Sequence, residues 1–145
     1  MSTVPENDLP DLFLRATKRI RRIQATRLAP LGLTPAQARA MRVLGRAPEP
    51  LRMSALAEHL GIVPRSATTL VDALATAGLV TRETDPTSRR STLVTPTPAG
   101  RGVLDRMSDA RREAAAEVFA ALTPDQRDTL RGLLQALDTA ESPAR

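Results

Sequence analysis

The stretch LVTRETDPTSRRSTLVTP, residues 79–96, decides the fold of this chain. Its two ends, residues 79–83 and 91–95, are rich in Leu, Val and Thr, which is a composition typical of β-strands. Between them lies Asp85-Pro86, a dipeptide that favours a turn. The pattern predicts a β-hairpin whose loop, residues 84–90, carries two adjacent arginines, Arg89 and Arg90, at its tip.

Most of the remaining sequence has the apolar spacing of helices. A first amphipathic helix is predicted over residues 8–28, and three more begin at the Thr-Pro pairs 34–35, 97–98 and 123–124. Gln37 stands at the capping-box position after Thr34, and Gly45 together with Pro48 and Pro50 is expected to stop that helix. Two shorter helices, residues 53–60 and 64–77, precede the hairpin. The predicted fold class is therefore mainly α with a small β wing.

Composition narrows the range of possible functions. The 145 residues, 41% hydrophobic and 26% charged, fit one packed domain spanning residues 1–145. Phe13 and Phe119 are the only aromatic residues, so base stacking is nearly excluded and single-stranded nucleic acid is a poor candidate ligand. The absence of cysteine excludes disulfides and thiolate metal sites. With no apolar run of membrane-span length and no signal peptide, we expect a cytoplasmic protein and no membrane partner.

The charge is positive and carried almost entirely by arginine. Net charge is +5, Lys18 is the only lysine, and the excess of positive charge lies in the first two thirds of the chain. Guanidinium groups suit phosphate contacts, although a coding bias toward arginine explains the composition equally well. No Gly-rich phosphate loop or HExxH motif occurs, and His59 is the only histidine. We therefore expect no enzyme activity, no cofactor and no metal site.

Two short helices joined by a tight turn and followed by a hairpin have the layout of a winged helix-turn-helix. In this layout the second helix, residues 64–77, occupies the DNA major groove, and the hairpin lies over the adjacent minor groove. Asp72 is expected to position a neighbouring arginine. The predicted DNA-binding residues are Arg65, Ser66, Thr68, Thr69, Arg82, Arg89 and Arg90. Arg65 either contacts a guanine edge or holds a phosphate, and the alternative for the whole set is ordinary solvent exposure.

The run from Leu33 to Leu104, with the helices before and after it, resembles the MarR family of bacterial transcription regulators over nearly the whole chain. The resemblance is carried by LTPAQARAMRVL (residues 33–44) and SALAEHLGIVPRSATTLVDALATAGLVTRETDPTSRRSTLVTPTPAG (residues 54–100). The strongest likeness, in residues 78–100, is to the wing of that family. The resemblance implies a DNA-binding lobe over residues 34–100 and dimerisation helices over residues 8–28 and 98–140. It also implies a homodimeric repressor on a pseudo-palindromic operator, released by a small-molecule effector bound between the dimer helices and the lobe.

The same resemblance assigns the apolar residues of the terminal helices to dimerisation and core packing. They are Leu9, Leu12, Phe13, Ile20, Val118, Leu130, Leu133, Leu134 and Leu137. The chain departs from the family pattern at Ser88, where an Asp is usual, and at Val63, where a Ser caps the helix. Arg39 and Arg52 are then candidates for additional phosphate contacts.

A different class of function is also compatible with the sequence. The predicted recognition helix has one cation, Arg65, as a winged-helix scaffold that has lost DNA binding would have. Such a chain would be a helical protein-interaction module. The basic first helix, RATKRIRRI (residues 15–23), could bind a membrane surface, but its apolar side is better used by a dimer interface.

Overall fold

The computed structural model describes residues 8–140, which divide into two compact units. One unit comprises the described residues 8–24 and 111–140, and the other comprises residues 25–110, which include the predicted lobe 34–100. The single-domain prediction extends over residues 1–145, whose two ends lie outside the described residues.

The elements follow one another in an order that confirms the predicted fold class, mainly α with a small β wing. The helices are α1 Asp8–Leu28, α2 Pro35–Arg46, α3 Met53–Leu60, α4 Pro64–Thr76, α5 Pro98–Phe119 and α6 Pro124–Ala140, with a 3-10 turn at Ala29–Leu31. The strands are β1 Leu51–Arg52, β2 Val80–Asp85 and β3 Ser88–Pro96.

Capping side chains fix where α2 and α6 begin. The backbone N–H of Gln37 donates to the Thr34 hydroxyl at 3.1 Å, and the Gln37 side chain accepts from the backbone N–H of Thr34 at 3.1 Å. Thr123 and Gln126 form the same reciprocal pair at the start of α6, at 2.9 and 3.2 Å. Both helices thus satisfy N–H groups that have no partner inside a helix, and the predicted capping box is confirmed.

The sheet has three strands, not the two that the sequence predicts. It is antiparallel in the order β1-β3-β2, with Leu51 paired to Val94 and Val80 paired to Pro96. The strand missing from the prediction, β1, is only Leu51–Arg52. Two residues are too few to show the alternation by which a strand is recognised in a sequence.

The hairpin turn is tighter than predicted, which corrects the position of its two arginines. Asp85 pairs with Ser88, so only Pro86 and Thr87 form the loop and β3 already begins at Ser88. The next pair is Thr84 with Thr92, and residues 89–91 therefore bulge from β3. Arg89 and Arg90 lie in this bulge, beside the turn and exposed to solvent, instead of at its tip.

A single hydrophobic cluster holds together the unit of residues 25–110. It includes Val71 and Leu74 from α4 and Val80 and Val94 from the two longer strands, all at most 3% exposed. The other buried members come from α2, α3 and α5, namely Ala40, Met41, Leu44, Leu56, Leu60 and Met107. Helix α4 and the hairpin are consequently attached to the same core.

Helix α2 ends between Gly45 and Pro48, within the stretch that the sequence predicts to stop it. The helix continues to Arg46, and Ala47 follows with an extended backbone. A Cβ at Gly45 would lie 2.7 Å from Cδ1 of Leu104 on α5. The side chain of Leu104 therefore occupies the space beside Gly45.

In the other unit, the apolar residues of α1 and α6 remain largely uncovered. Neither helix contains a buried residue. The exposed fractions are 74% for Leu9, 54% for Phe13, 62% for Leu133 and 65% for Leu137. Of the other residues predicted for dimerisation, Leu12 is exposed, and Ile20, Val118, Leu130 and Leu134 are partly buried. Among the described residues, no helix combines the length and the apolar character required to cross a membrane.

The start of α5 packs directly on the connection that leaves α4, and this contact leads to a stability prediction. The Thr97 hydroxyl donates to the Gly78 carbonyl at 2.6 Å and accepts from the Gly100 N–H at 3.0 Å. A Cβ at Gly100 would lie 2.0 Å from the Leu79 carbonyl oxygen. Because backbone cannot yield as a flexible side chain can, Gly100→Ala should lower the free energy of unfolding by about 1–3 kcal/mol.

Gly102, two residues later in α5, is the matched control, because a Cβ there meets nothing within 4 Å. Gly102→Ala should raise the free energy of unfolding by about 0.5–1 kcal/mol through helix propensity. Urea denaturation of the two variants measures both effects. Equal stability of Gly100→Ala and wild type would contradict the close packing.

Candidate DNA-binding surface

Helix α4 separates a buried face from a polar face. Ala67, Val71 and Leu74 are buried. The opposite side is exposed and carries Arg65, Ser66, Thr68 and Thr69. The structure thus brings together on one surface every residue that the sequence predicts for this helix to contact DNA.

The hydroxyl protons of Thr68 and Thr69 are already used in hydrogen bonds to the backbone of α4. The Thr68 hydroxyl donates to the Pro64 carbonyl and the Thr69 hydroxyl donates to the Arg65 carbonyl, both at 3.1 Å. In this arrangement each oxygen presents its lone pairs to solvent as an acceptor. The amino groups of cytosine and adenine are donors in the major groove, so these two residues suit base edges better than phosphates.

The first turn of α4 lacks a side-chain cap. Val63 occupies the N-cap position, makes no side-chain hydrogen bond to the helix and is 64% exposed. The prediction of a poorly capped recognition helix is confirmed. Arg65, the second residue of the helix, is exposed and makes no ion pair with any described residue.

An ion pair connects α4 to the hairpin. The Arg82 guanidinium on β2 donates to the Asp72 carboxylate on α4. This confirms that Asp72 positions a neighbouring arginine. Both side chains are about half exposed, and the pair therefore adds little to stability in water. Asp72 therefore holds the Arg82 guanidinium only weakly.

Two further arginines that the sequence offers as phosphate ligands have structural partners instead. Arg39 on α2 donates to the Leu60 carbonyl at the end of α3, at 3.0 Å. Arg52 donates from Nε to the Asp85 carboxylate at 2.9 Å. These contacts favour a role in holding the lobe together over one in binding phosphate.

Asp85 is the buried charged residue at the hairpin turn, 5% exposed. One carboxylate oxygen accepts from the Thr87 N–H at 2.9 Å and from the Thr87 hydroxyl at 2.8 Å, and the other accepts from Arg52. The pKa of Asp85 is below its ordinary value, mainly because of the two Thr87 hydrogen bonds and then because of Arg52. The Asp-Pro-Thr sequence signals such a turn, whereas nothing in the sequence identifies Arg52 as its partner.

Beyond this network, Arg89 and Arg90 extend into solvent. Both are exposed, and neither forms an ion pair within the described part of the chain. The described residues also contain no group of three or more His, Cys, Asp or Glu side chains placed to hold a metal ion. The candidate surface therefore consists of the exposed arginines of α4 and the hairpin and of the exposed hydroxyl side chains of α4.

Helices α3 and α4, joined by a tight turn and followed by a three-stranded wing, define a winged helix-turn-helix protein. Residues 31–91 match the sequence model of the MarR family. Over 115 residues, 78% of this chain and 69% of the relative, the sequence is 34% identical to a Thauera aromatica protein named as a transcriptional regulatory protein for the hcr operon. The chain belongs to the MarR family, as residues 33–44 and 54–100 indicate.

Solved structures share the fold of this chain. RV1404 from Mycobacterium tuberculosis matches with a TM-score of 0.80 and 28% identity, over 99% of each chain. A mutant of Staphylococcus aureus MepR bound to an oligodeoxyribonucleotide matches with a TM-score of 0.74 and 16% identity, over 92% of this chain and 98% of that one. MarR-family proteins are DNA-binding transcriptional regulators, a class without enzymatic activity. The expectation that the chain is not an enzyme is confirmed.

The lowered pKa of Asp85 predicts how stability depends on pH. Relative to Asp85→Asn, the ionised carboxylate contributes its full stabilisation above about pH 4, where aspartate in the unfolded chain is also ionised. The contribution is lost as the pH falls through the lower pKa of the folded protein. The difference in unfolding free energy between wild type and Asp85→Asn should therefore shrink below pH 4, as measured by urea denaturation from pH 2 to 6. A difference that is constant across this range would contradict the assignment.

Proposed function

We propose that the protein is a sequence-specific regulator that binds double-stranded DNA as a homodimer, on a pseudo-palindromic operator. The observation that carries this proposal is the attachment of two exposed elements, the polar face of α4 and the arginine-bearing hairpin, to one hydrophobic core. A B-DNA major groove is about 12 Å wide and accepts one helix. A hairpin held beside that helix meets the adjacent minor groove.

Each exposed residue has a role that suits its chemistry. Arg65 contacts a guanine edge or a phosphate at the start of α4, and Ser66, Thr68 and Thr69 face the bases. Arg90 enters the minor groove, where a narrow groove concentrates negative potential, and Arg89 contacts the DNA backbone. Arg82 joins them by exchanging Asp72 for a phosphate.

The proposed dimer is supported by the uncovered apolar residues of α1 and α6. Leu9, Phe13, Leu133 and Leu137 are each more than half exposed, and large apolar side chains left exposed in this number favour an association site. A two-fold dimer would place its two recognition helices about 34–36 Å apart, in successive major grooves.

We extend the proposal to repression in the cytoplasm, because a dimer bound across a promoter blocks access to that DNA. Release would follow from a small molecule that binds more tightly to a dimer with a different spacing of its recognition helices. Support for the effector and for repression comes from membership of the MarR family.

The second candidate, a protein-interaction module without DNA binding, is favoured by one feature of α4. The helix has a single cation, Arg65. Binding to a duplex at low salt separates the two candidates, since several phosphate contacts make affinity fall steeply with salt concentration. An absence of binding at low salt would favour the interaction module.

Removing Arg90 provides the first test of the wing. Arg90→Ala should weaken binding by on the order of 1–3 kcal/mol if the side chain enters a groove. Arg89→Ala should lower the slope of log affinity against log salt by about one, as the loss of a single phosphate contact requires. Fluorescence anisotropy with a duplex selected by the wild-type protein from a random pool measures both.

Arg131→Ala is the control for charge, because it removes one arginine of α6 that pairs with Asp128 at 2.6 Å, outside the unit of residues 25–110. Its affinity should remain close to that of wild type. Equal losses in all three variants would assign the effect to net charge and not to the hairpin.

Charge placed on α6 provides a test of the dimer. The double variant Leu133→Glu with Leu137→Glu should convert a dimer into a monomer, because two buried carboxylates would lack partners in the interface. Sedimentation equilibrium measures the change. Val63→Ser, which also replaces an exposed apolar residue but on α4, should leave the dimer intact. A monomeric wild-type protein at micromolar concentration would contradict the proposal.

A further inference from the structure

Arg52 occupies a position that connects three elements. It is the last residue of β1, where it pairs with Leu93 of β3, and it is also the N-cap residue of α3. Its side chain makes no capping hydrogen bond to α3. Instead the guanidinium donates to Asp85 from Nε at 2.9 Å and to the Thr87 hydroxyl from Nη2 at 3.3 Å. The first helix of the helix-turn-helix is thereby bonded to the hairpin turn.

The Asp85 carboxylate accepts three of the hydrogen bonds at this turn. The carboxylate is buried, and both oxygens are occupied by Thr87 and Arg52. No described buried side-chain polar atom lacks a partner, so the network is complete as it stands. Removal of Arg52 would leave the buried Asp85 carboxylate without its charged partner, which is costly, whereas the half-exposed Arg52 could still be hydrated.

The arginines proposed to contact DNA follow immediately after this network. Asp85 pairs with Ser88, and the bulge of residues 89–91 starts at the next residue. A bulge redirects the side chains that it contains, and its direction depends on the fixed strand pair beside it. The conformation of the turn at Asp85 and Thr87 therefore determines the direction in which the bulge presents Arg89 and Arg90.

We infer that Arg52 is a positioning residue for DNA binding: the clamp formed by Arg52, Asp85 and Thr87 holds the hairpin turn so that Arg89 and Arg90 are presented to the duplex. The inference rests on the proposed function. Arg52 acts through the hairpin and does not itself need to touch DNA. Without the clamp, the turn must become ordered during binding, and the entropy cost of that ordering lowers affinity.

Asp85→Asn separates this role from electrostatics, because the two effects have opposite signs. Removal of a negative charge near the duplex should by itself strengthen binding. Loss of the clamp should weaken it, by about tenfold when a hydrogen-bonded charge pair is broken. The matched control is Glu83→Gln, which removes an exposed carboxylate from the same strand β2 without touching the clamp. Its affinity should equal or exceed that of wild type.

A double-mutant cycle provides the second measurement. In the wild-type background Arg90→Ala should reduce affinity about tenfold, whereas in the Arg52→Ala background it should reduce affinity less than about threefold, since Arg90 is no longer presented. If Arg90→Ala costs the same factor in both backgrounds and Asp85→Asn binds as tightly as Glu83→Gln, the clamp has no positioning role.

Amide hydrogen exchange of free protein keeps the inference testable if the wild type selects no duplex. In Arg52→Ala, the Thr87 amide and residues 84–92 should exchange faster than in wild type, while the amides of α3 and α4 keep their protection. Unchanged protection at Thr87 would overturn the clamp. If the wild type binds no duplex but Thr87 exchanges faster in Arg52→Ala, the proposed function is rejected. The clamp then remains as a structural feature of the wing without a role in DNA binding.

Discussion

Packing between α4 and the two longer strands is the interaction on which the proposed DNA-binding surface depends. Val71 and Leu74 from the helix lie in the same buried cluster as Val80 and Val94 from the strands, and none of the four is more than 3% exposed. Burying these side chains makes the helix and the wing move as one body. The polar face of α4 and the hairpin arginines therefore keep a fixed spacing, which two adjacent grooves of a duplex require.

Some arginines of the lobe have structural partners, and others are exposed and are proposed to contact DNA. Arg39 and Arg52 are bonded to a helix end and to a buried carboxylate, while Arg82 is held in an exposed, exchangeable pair. Arg89 and Arg90 remain exposed. The arginines of the lobe are thus not equally available to phosphates. Replacing a partnered arginine should loosen the wing, whereas replacing an exposed one should remove a contact to the DNA backbone or to a groove.

Local chemistry made much of the fold predictable. The capping pair of Thr34 and Gln37 predicts where α2 begins. The fold class and the family follow from patterns within short segments. The sequence does not reveal contacts that are remote along the chain. Arg52 and Asp85 are 33 residues apart, and Gly45 meets Leu104 on another helix. The same limit affects the hairpin, where the loop length set by strand pairing moved Arg89 and Arg90 into a bulge.

Ser88 occupies the position at which the MarR family usually has an acidic wing residue. The structure places a carboxylate, that of Asp85, three residues earlier, at the hairpin turn.

The proposal that α4 and the hairpin enter two adjacent grooves is tested most directly by methylation interference on a selected duplex. Guanine N7 lies in the major groove and adenine N3 in the minor groove. The account predicts that both modifications block binding, at neighbouring positions within each half-site. Interference confined to one groove would contradict it.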